Sequence, residues 1–287
     1  MKKIKIKCFC KVNLCLRVIR KITKNYHAIK SFITFCNVFD VVTISTNKGF
    51  KDKIIFSGQF KRRINKNNNT ISKVLKLLRK QKLLKNQYFN INVKKNIPHG
   101  SGLGGASSNA ANLLNFLKKK KFIKINENKK IKIARKVGHD VPLFLNNKNC
   151  FLVGKNEKII RIKKNFKLNI LIVYPNFICS TKKIYKANRK ITLDKKWNYA
   201  NINTNEKLIN FLITEDNDLE QSVIKLYPKI KTLINIINKQ KGCYFSRITG
   251  SGSGCIGIFS SMKTANSAKK RIKSKFPKFW CVAAKTI

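Results

Sequence analysis

Acidic residues are scarce in this chain: 11 Asp and Glu stand against 64 Lys and Arg, a formal net charge of +53. An excess of this kind raises nucleic acid as a partner, because clustered lysines release counterions from phosphates. The lysines, however, are spread from Lys2 to Lys285 among many asparagines and isoleucines, as AT-rich codons would produce. Compositional drift therefore accounts for the charge better than a binding footprint, and no specific nucleic acid is expected, although an anionic substrate would be favoured. Histidine is rare too, with 3 residues, and the nine cysteines include no C-x-x-C pair and no histidine spacing suited to zinc. The cysteines read as reduced thiols, and no metal-ligating residue set is predicted. Long apolar runs are also lacking. Lysines interrupt the apolar residues of the first seven positions, so neither a signal-peptide core nor a membrane span is expected, and the location expected is cytoplasmic.

What is present suits a folded protein. The 287 residues are 43% hydrophobic and 10% aromatic, enough for a sizeable core and long enough for two modest domains. A polar stretch near Lys155 to Asn165 marks the expected boundary, giving residues 1–158 and 159–287. From Ile4 to Val18 apolar residues recur with a period of two, which predicts a half-buried strand and puts Lys11 and Asn13 on one face. Strands are also predicted over Phe32 to Ser45, Lys53 to Phe56, Phe89 to Val93, Leu168 to Tyr174, Cys243 to Ile248, Cys255 to Phe259 and Phe279 to Ala284. Helical spacing covers Thr70 to Leu84, Asn109 to Leu117, Asn128 to Val137, Ser180 to Lys186, Glu206 to Leu212, Asp218 to Lys239 and Thr264 to Lys275. Strands and helices mixed in both halves predict an α+β protein.

The segment that points to chemistry is Pro98-His99-Gly100-Ser101-Gly102-Leu103-Gly104-Gly105-Ala106-Ser107-Ser108-Asn109. Its glycines let the backbone adopt positive φ and approach a ligand closely, and the helix that follows offers N–H groups and a positive dipole end to phosphate. A plain capped turn is the competing reading. Gly100, Gly102 and Gly105 satisfy G-x-G-x-x-G, but a lysine run stands where a dinucleotide fold needs an acidic residue. No lysine lies between Pro98 and Lys118, which excludes a Walker P-loop.

The proline, the Gly-Leu-Gly-Gly run, the paired serines and the small-residue helix resemble the signature loop of the galactokinase, homoserine kinase, mevalonate kinase and phosphomevalonate kinase (GHMP) superfamily. Lys11-Val12-Asn13, Tyr26-His27, Gly138-His139-Asp140-Val141-Pro142, Asn217-Asp218-Leu219-Glu220 and Thr249-Gly250-Ser251-Gly252-Ser253-Gly254 follow in the same order as in one branch of it. That branch phosphorylates the 2-hydroxyl of a cytidine-diphosphate sugar alcohol in the non-mevalonate isoprenoid pathway, and the match spans nearly the whole chain. Lys24-Asn25 stands where the branch usually has Asp-Gly, and His139 where it usually has alanine.

The resemblance implies a two-domain GHMP-kinase fold, with the active site between an N-terminal ATP-binding domain and a C-terminal α/β sandwich domain. It implies ATP with Mg2+ held at Pro98, Gly100, Ser101, Gly102, Leu103, Gly104, Gly105, Ala106, Ser107 and Ser108. Asp140 and Lys11 fall on the family's catalytic aspartate and its partner lysine. Asn13, Tyr26, His27 and Tyr185 fall on the positions that bind the cytidine-diphosphate part, and Gly250, Ser251 and Gly252 on the turn near the acceptor. Asp140 also stands out by itself, as a rare carboxylate beside an apolar Val-Pro-Leu-Phe-Leu run, where an aspartate can accept a hydroxyl proton. A turn aspartate is the alternative. Glu215, Asp216, Asp218 and Glu220 are expected to start a helix. Two rivals remain: another GHMP kinase, against which Tyr26-His27 argues, and a non-catalytic basic RNA- or anion-binding relative, against which the retained Lys11, Asp140 and glycine loops argue.

Overall fold

A computed structural model describes residues 2–23, 26–62, 64–65, 67–154, 158–194, 197 and 201–287, with only the backbone for Thr23 and Tyr26. Lys24-Asn25 and the start of the expected boundary stretch, Lys155 to Glu157, lie outside the described residues. The period-two run produces β1 (Ile4–Asn13), with Cys8, Cys10 and Val12 fully buried. It does not continue unbroken to Val18: the chain turns, Leu16 forms an isolated bridge, and β2 (Arg17–Thr23) begins afresh. β3 (Tyr26–Asn47) extends the expected strand at both ends to 22 residues.

The chain forms two compact units, each assembled from separate stretches: Met1–Cys10, Val38–His99 and Gly104–Asn147 in the first, Lys11–Asn37, Gly100–Leu103 and Lys148–Ile287 in the second. In the first unit β4 (Lys53–Ser57) runs parallel to β5 (Tyr88–Lys94), which pairs antiparallel with β3 from Val41↔Lys94 to Asn47↔Tyr88. Helices α1 (Thr70–Lys80), α2 (Gly105–Lys119) and α3 (Glu127–Val137) and a 3-10 turn (Val141–Leu145) complete it. The spacing of Ile71, Val74, Leu75 and Leu78 gives α1 its buried face.

In the second unit the first part of β3 lies between β2 and β6 (Cys150–Gly154), and β7 (Lys158–Arg161) pairs with β6. β8 (Asn169–Tyr174), β9 (Cys243–Ile248), β10 (Cys255–Phe259) and β11 (Trp280–Lys285) form an antiparallel sheet in the order β11-β8-β10-β9. Helices α4 (Thr181–Ala187), α5 (Asn205–Thr214), α6 (Glu220–Leu226), α7 (Lys229–Asn238) and α8 (Met262–Lys275) belong to the same unit. Leu171, Val173, Val223, Leu233, Ile237, Ile248 and Ile272 share its buried core. The single helix expected over Asp218 to Lys239 is two helices, because Pro228 has no N–H for the ladder and instead starts α7. No helix among the described residues is long and apolar enough to cross a membrane.

Candidate active site

β5 leads to Pro98, and the loop beyond it turns through positive φ at Gly100 (68°), Gly102 (79°) and Gly104 (70°), conformations that a side chain disfavours. Gly104 is the N-cap of α2 and brings no side-chain oxygen to it. By contrast, Asn69, Asn126, Ser180, Thr204 and Ser261 cap α1, α3, α4, α5 and α8 through their side chains. The start of α2, like those of α6 and α7, therefore has no side-chain cap, and coming directly after a glycine loop it suits an anion. Ser108 is buried in the first turn of α2, and its carbonyl accepts from Asn112 Nδ2 at 2.9 Å. Ser107 is half-buried and Ala106 exposed.

The residues before Pro98 are fixed by Asp40, which the sequence reading did not single out. Its carboxylate is fully buried; Oδ1 accepts from the N–H groups of Asn96 (2.7 Å) and Ile97 (2.9 Å), and Oδ2 pairs with Lys95 Nζ. The signal was present: a rare carboxylate inside an apolar strand, the same signal that marked Asp140. Asp140 itself is half-buried at the start of the 3-10 turn, and its carboxylate does not cap that turn.

In the second unit, Gly100–Leu103 and the Thr249–Gly254 turn interlock. Gly254 N donates to Ser101 O at 3.2 Å, Thr249 N to Gly254 O at 2.9 Å and Gly252 N to Thr249 O at 3.1 Å. A Cβ on Gly102 would lie 2.5 Å from Thr249 O, and one on Gly254 would lie 2.5 Å from Ser101 O. Neither position has room for a methyl group. Gly250 and Gly252 again take positive φ, 59° and 74°. Lys11 and Asn13, expected on one face, are both buried and joined: Lys11 Nζ donates to Asn13 Oδ1 at 2.5 Å. Lys11 N donates to Leu103 O at 3.0 Å, and Asn13 N to Thr249 Oγ1 at 2.9 Å. Asn13 Nδ2 donates to Ser31 Oγ at 2.8 Å, so the amide that receives the ammonium is itself held. Its strand thus ties to both glycine segments.

His27 and Tyr185 come together, ring centroids 4.9 Å apart and tilted by 32°. Burial, followed by the nearby Lys21 charge, lowers the pKa of His27 and favours the neutral ring. The side chain of Tyr26 lies outside the described residues. Ser251 Oγ shares a hydrogen bond of 2.8 Å with Thr181 Oγ1 on α4, the helix that carries Tyr185.

The four clustered acids do not start a helix together. Only Glu220 does, as the first residue of α6, with Oε2 accepting from Ile248 N at 2.9 Å. Glu215 ends α5 and receives Arg17 Nε at 2.7 Å; Arg17 Nη1 also reaches Asp216 (3.1 Å) and Asp218 (3.2 Å). The opposite charge of Arg17, and not a helix dipole, collects these carboxylates. Asn217 between them supports the glycine turn, its Nδ2 donating to Ile248 O (3.1 Å) and Gly250 O (2.8 Å).

Comparison with known proteins agrees with this arrangement. Residues 69–148 match the GHMP kinases N terminal domain model, and residues 200–278 match that of the GHMP kinases C terminal. The chain is 39% identical to 4-diphosphocytidyl-2-C-methyl-D-erythritol kinase of Pelagibacter ubique, covering 100% of both chains. It is 30% identical to the Wolbachia pipientis protein of the same name, covering 98% of this chain and 97% of that one. Among solved structures, a 4-(cytidine 5'-diphospho)-2C-methyl-D-erythritol kinase superposes with a TM-score of 0.78 at 22% identity, over 99% of this chain and 100% of the other. Homoserine kinase from Cytophaga hutchinsonii shares the fold at 0.75 and 16% identity, over 100% of this chain and 95% of the other.

Proposed function

The chain belongs to the 4-diphosphocytidyl-2-C-methyl-D-erythritol kinase family of GHMP kinases, and from that premise we propose that it phosphorylates the 2-hydroxyl of 4-diphosphocytidyl-2-C-methyl-D-erythritol with ATP in the non-mevalonate isoprenoid pathway. The observation that carries the nucleotide part is the start of α2, which lacks a side-chain cap and is preceded by three glycines of positive φ. Phosphoryl transfer asks a protein mainly for positioning and charge stabilisation, and this loop supplies backbone donors for both.

In this reading Pro98 and Gly100 to Ser108 hold the triphosphate, with Ser107 and Ser108 donating from their hydroxyls. Ser107 and Ser108 would help place the magnesium that accompanies ATP, which when bound would supply neutralisation of phosphate charge. The site suits an ion that takes oxygen ligands and keeps several waters, since hydroxyls stand at the loop and no three His, Cys, Asp or Glu gather to hold a metal among the described residues. Asp140 accepts the proton of the acceptor hydroxyl, and the ammonium of Lys11 offsets negative charge that builds during transfer. Asn13 orients Lys11 through their 2.5 Å hydrogen bond. His27 and Tyr185, with Tyr26, receive the cytosine, whose flat face suits ring stacking. Gly250, Ser251 and Gly252 line the acceptor. The same reading takes residues 1–158 and 159–287 as the two kinase halves in sequence, with family matches on either side of residue 158, while the second compact unit also takes in Lys11–Asn37 and Gly100–Leu103; it places the reaction in the cytoplasm.

The test is label transfer from γ-labelled ATP with magnesium. Phosphate should pass to the cytidine-diphosphate conjugate and much more slowly to free methylerythritol phosphate. Equal use of both acceptors would remove the assigned substrate while leaving a GHMP kinase.

A further inference from the structure

The glycine loop is fixed from beneath by a charge pair to which no step above gives a role. On β3, Phe39 O accepts from Asn96 Nδ2 at 2.9 Å, and Asp40 Oδ1 accepts from Asn96 N and Ile97 N. Lys95 Nζ closes the set on Oδ2. All three residues ahead of Pro98 are thus tied to Phe39-Asp40. The far end of the loop meets the same carboxylate: a Cβ on Gly105, the first residue of α2, would lie 3.2 Å from Asp40 Oδ2 and 3.1 Å from the Ile97 side chain. One buried group therefore reaches both the strand before the loop and the helix after it.

A buried ion pair is a poor device for stability, because desolvation offsets most of its attraction; what it fixes well is geometry. The sign of the charge matters here too. A carboxylate at the start of α2 is favoured by the helix dipole but would oppose an incoming phosphate, and the Lys95 ammonium cancels that opposition. We propose that Asp40 is the positioning residue of the nucleotide loop and that Lys95 neutralises it so that the start of α2 accepts phosphate. This rests on the assignment of the loop to ATP.

Calorimetric titration of ATP into the unaltered protein comes first, and failure to bind would overturn both readings. Kinetics of Asp40→Asn, Lys95→Met and the double variant then isolate this one, with thermal melting to report folding. Asp40→Asn should raise the KM for ATP roughly tenfold, the size of one charge-assisted hydrogen bond, while the KM for the acceptor holds. Lys95→Met leaves a bare carboxylate under the phosphates and should be worse, and adding Asp40→Asn should recover part of that loss. A merely structural role would lower the folded fraction, and so kcat, with both KM values unmoved. If either single variant fails to fold, the charge-balanced double variant decides. An ATP KM within about twofold of the parent in that folded protein would overturn the proposal.

Discussion

The two glycine turns are approached alike and finish differently. Before the first, Asp40 accepts the N–H groups of Asn96 and Ile97; before the second, Glu220 accepts that of Ile248. Asp40 is ion-paired with Lys95. Glu220 has its pKa raised by burial, an effect opposed by the Ile248 N–H and, at longer range, by Arg247. The first turn opens onto the uncapped start of α2, whereas the second folds back through Thr249, Gly252 and Gly254 and continues into β10. The difference is one of charge and of exit: the carboxylate before the first turn has a direct ion-pair partner and that turn leads into a helix start, whereas the carboxylate before the second feels Arg247 only at longer range and that turn leads into a strand.

The sharpest separation is between both turns and the chemistry. Asp140→Asn leaves each turn intact and removes the proton acceptor, so kcat should fall by about 100- to 10,000-fold. Dissociation constants for ATP and the acceptor should stay near parental values; losing either along with kcat would make Asp140 a binding residue. Next comes a contrast between the turns. Gly104→Val forces a β-branched residue to φ 70° at the start of α2 and should weaken ATP binding by tenfold or more, on the order of 1.4 kcal/mol. Gly254→Ala, pressing on Ser101 O, should instead lower stability by about 1–3 kcal/mol with a smaller change in ATP affinity. Melting curves and ATP titrations of the two variants would reverse this order if the scaffold and cradle roles were misassigned.

The smallest effect concerns pH. Because the folded pKa of Glu220 is raised, its stabilising contribution is present below the ordinary value of 4.5 and is lost as pH rises through the folded value. Glu220→Gln keeps an acceptor for Ile248 N without that loss. At pH 7 its melting temperature should exceed the parent's by on the order of 1–2 °C, and the two should converge below pH 4.5. A lower melting temperature at pH 7 would show that Arg247 needs the charge.

Where a local signal was strong, the sequence was informative. β9 and β10 fall on their expected boundaries because the intervening glycine turn punctuates them. Period-two spacing put Lys11 and Asn13 on one face of a half-buried strand, but that both are buried depends on distant chain, including Thr249. β6 and β7 were missed, being 5 and 4 residues long and next to polar stretches. The Arg17 cluster was misread for a related reason: its partners lie 198 to 201 positions away, beyond any local periodicity. Asn217 was noticed in its motif, yet its grip on Gly250, 33 residues on, appears only in the fold.

The interleaving of the second unit has a consequence for the protein's birth. Val18 donates its N–H to Asp218 across 200 residues, Leu16 exchanges backbone hydrogen bonds with Asp216 and Asp218, and Ile287 N donates to Phe35 O. Ribosomes add ~5–20 residues per second, so about 200 residues take roughly 10–40 s. For most of that interval β2 and the first part of β3 have been made while the segments that will cover them have not. Long-range strand pairing of this kind is slow to form and leaves apolar edges open to other chains. Yield of active protein from cells should therefore depend on translation speed and chaperone supply as well as on the final stability of the fold.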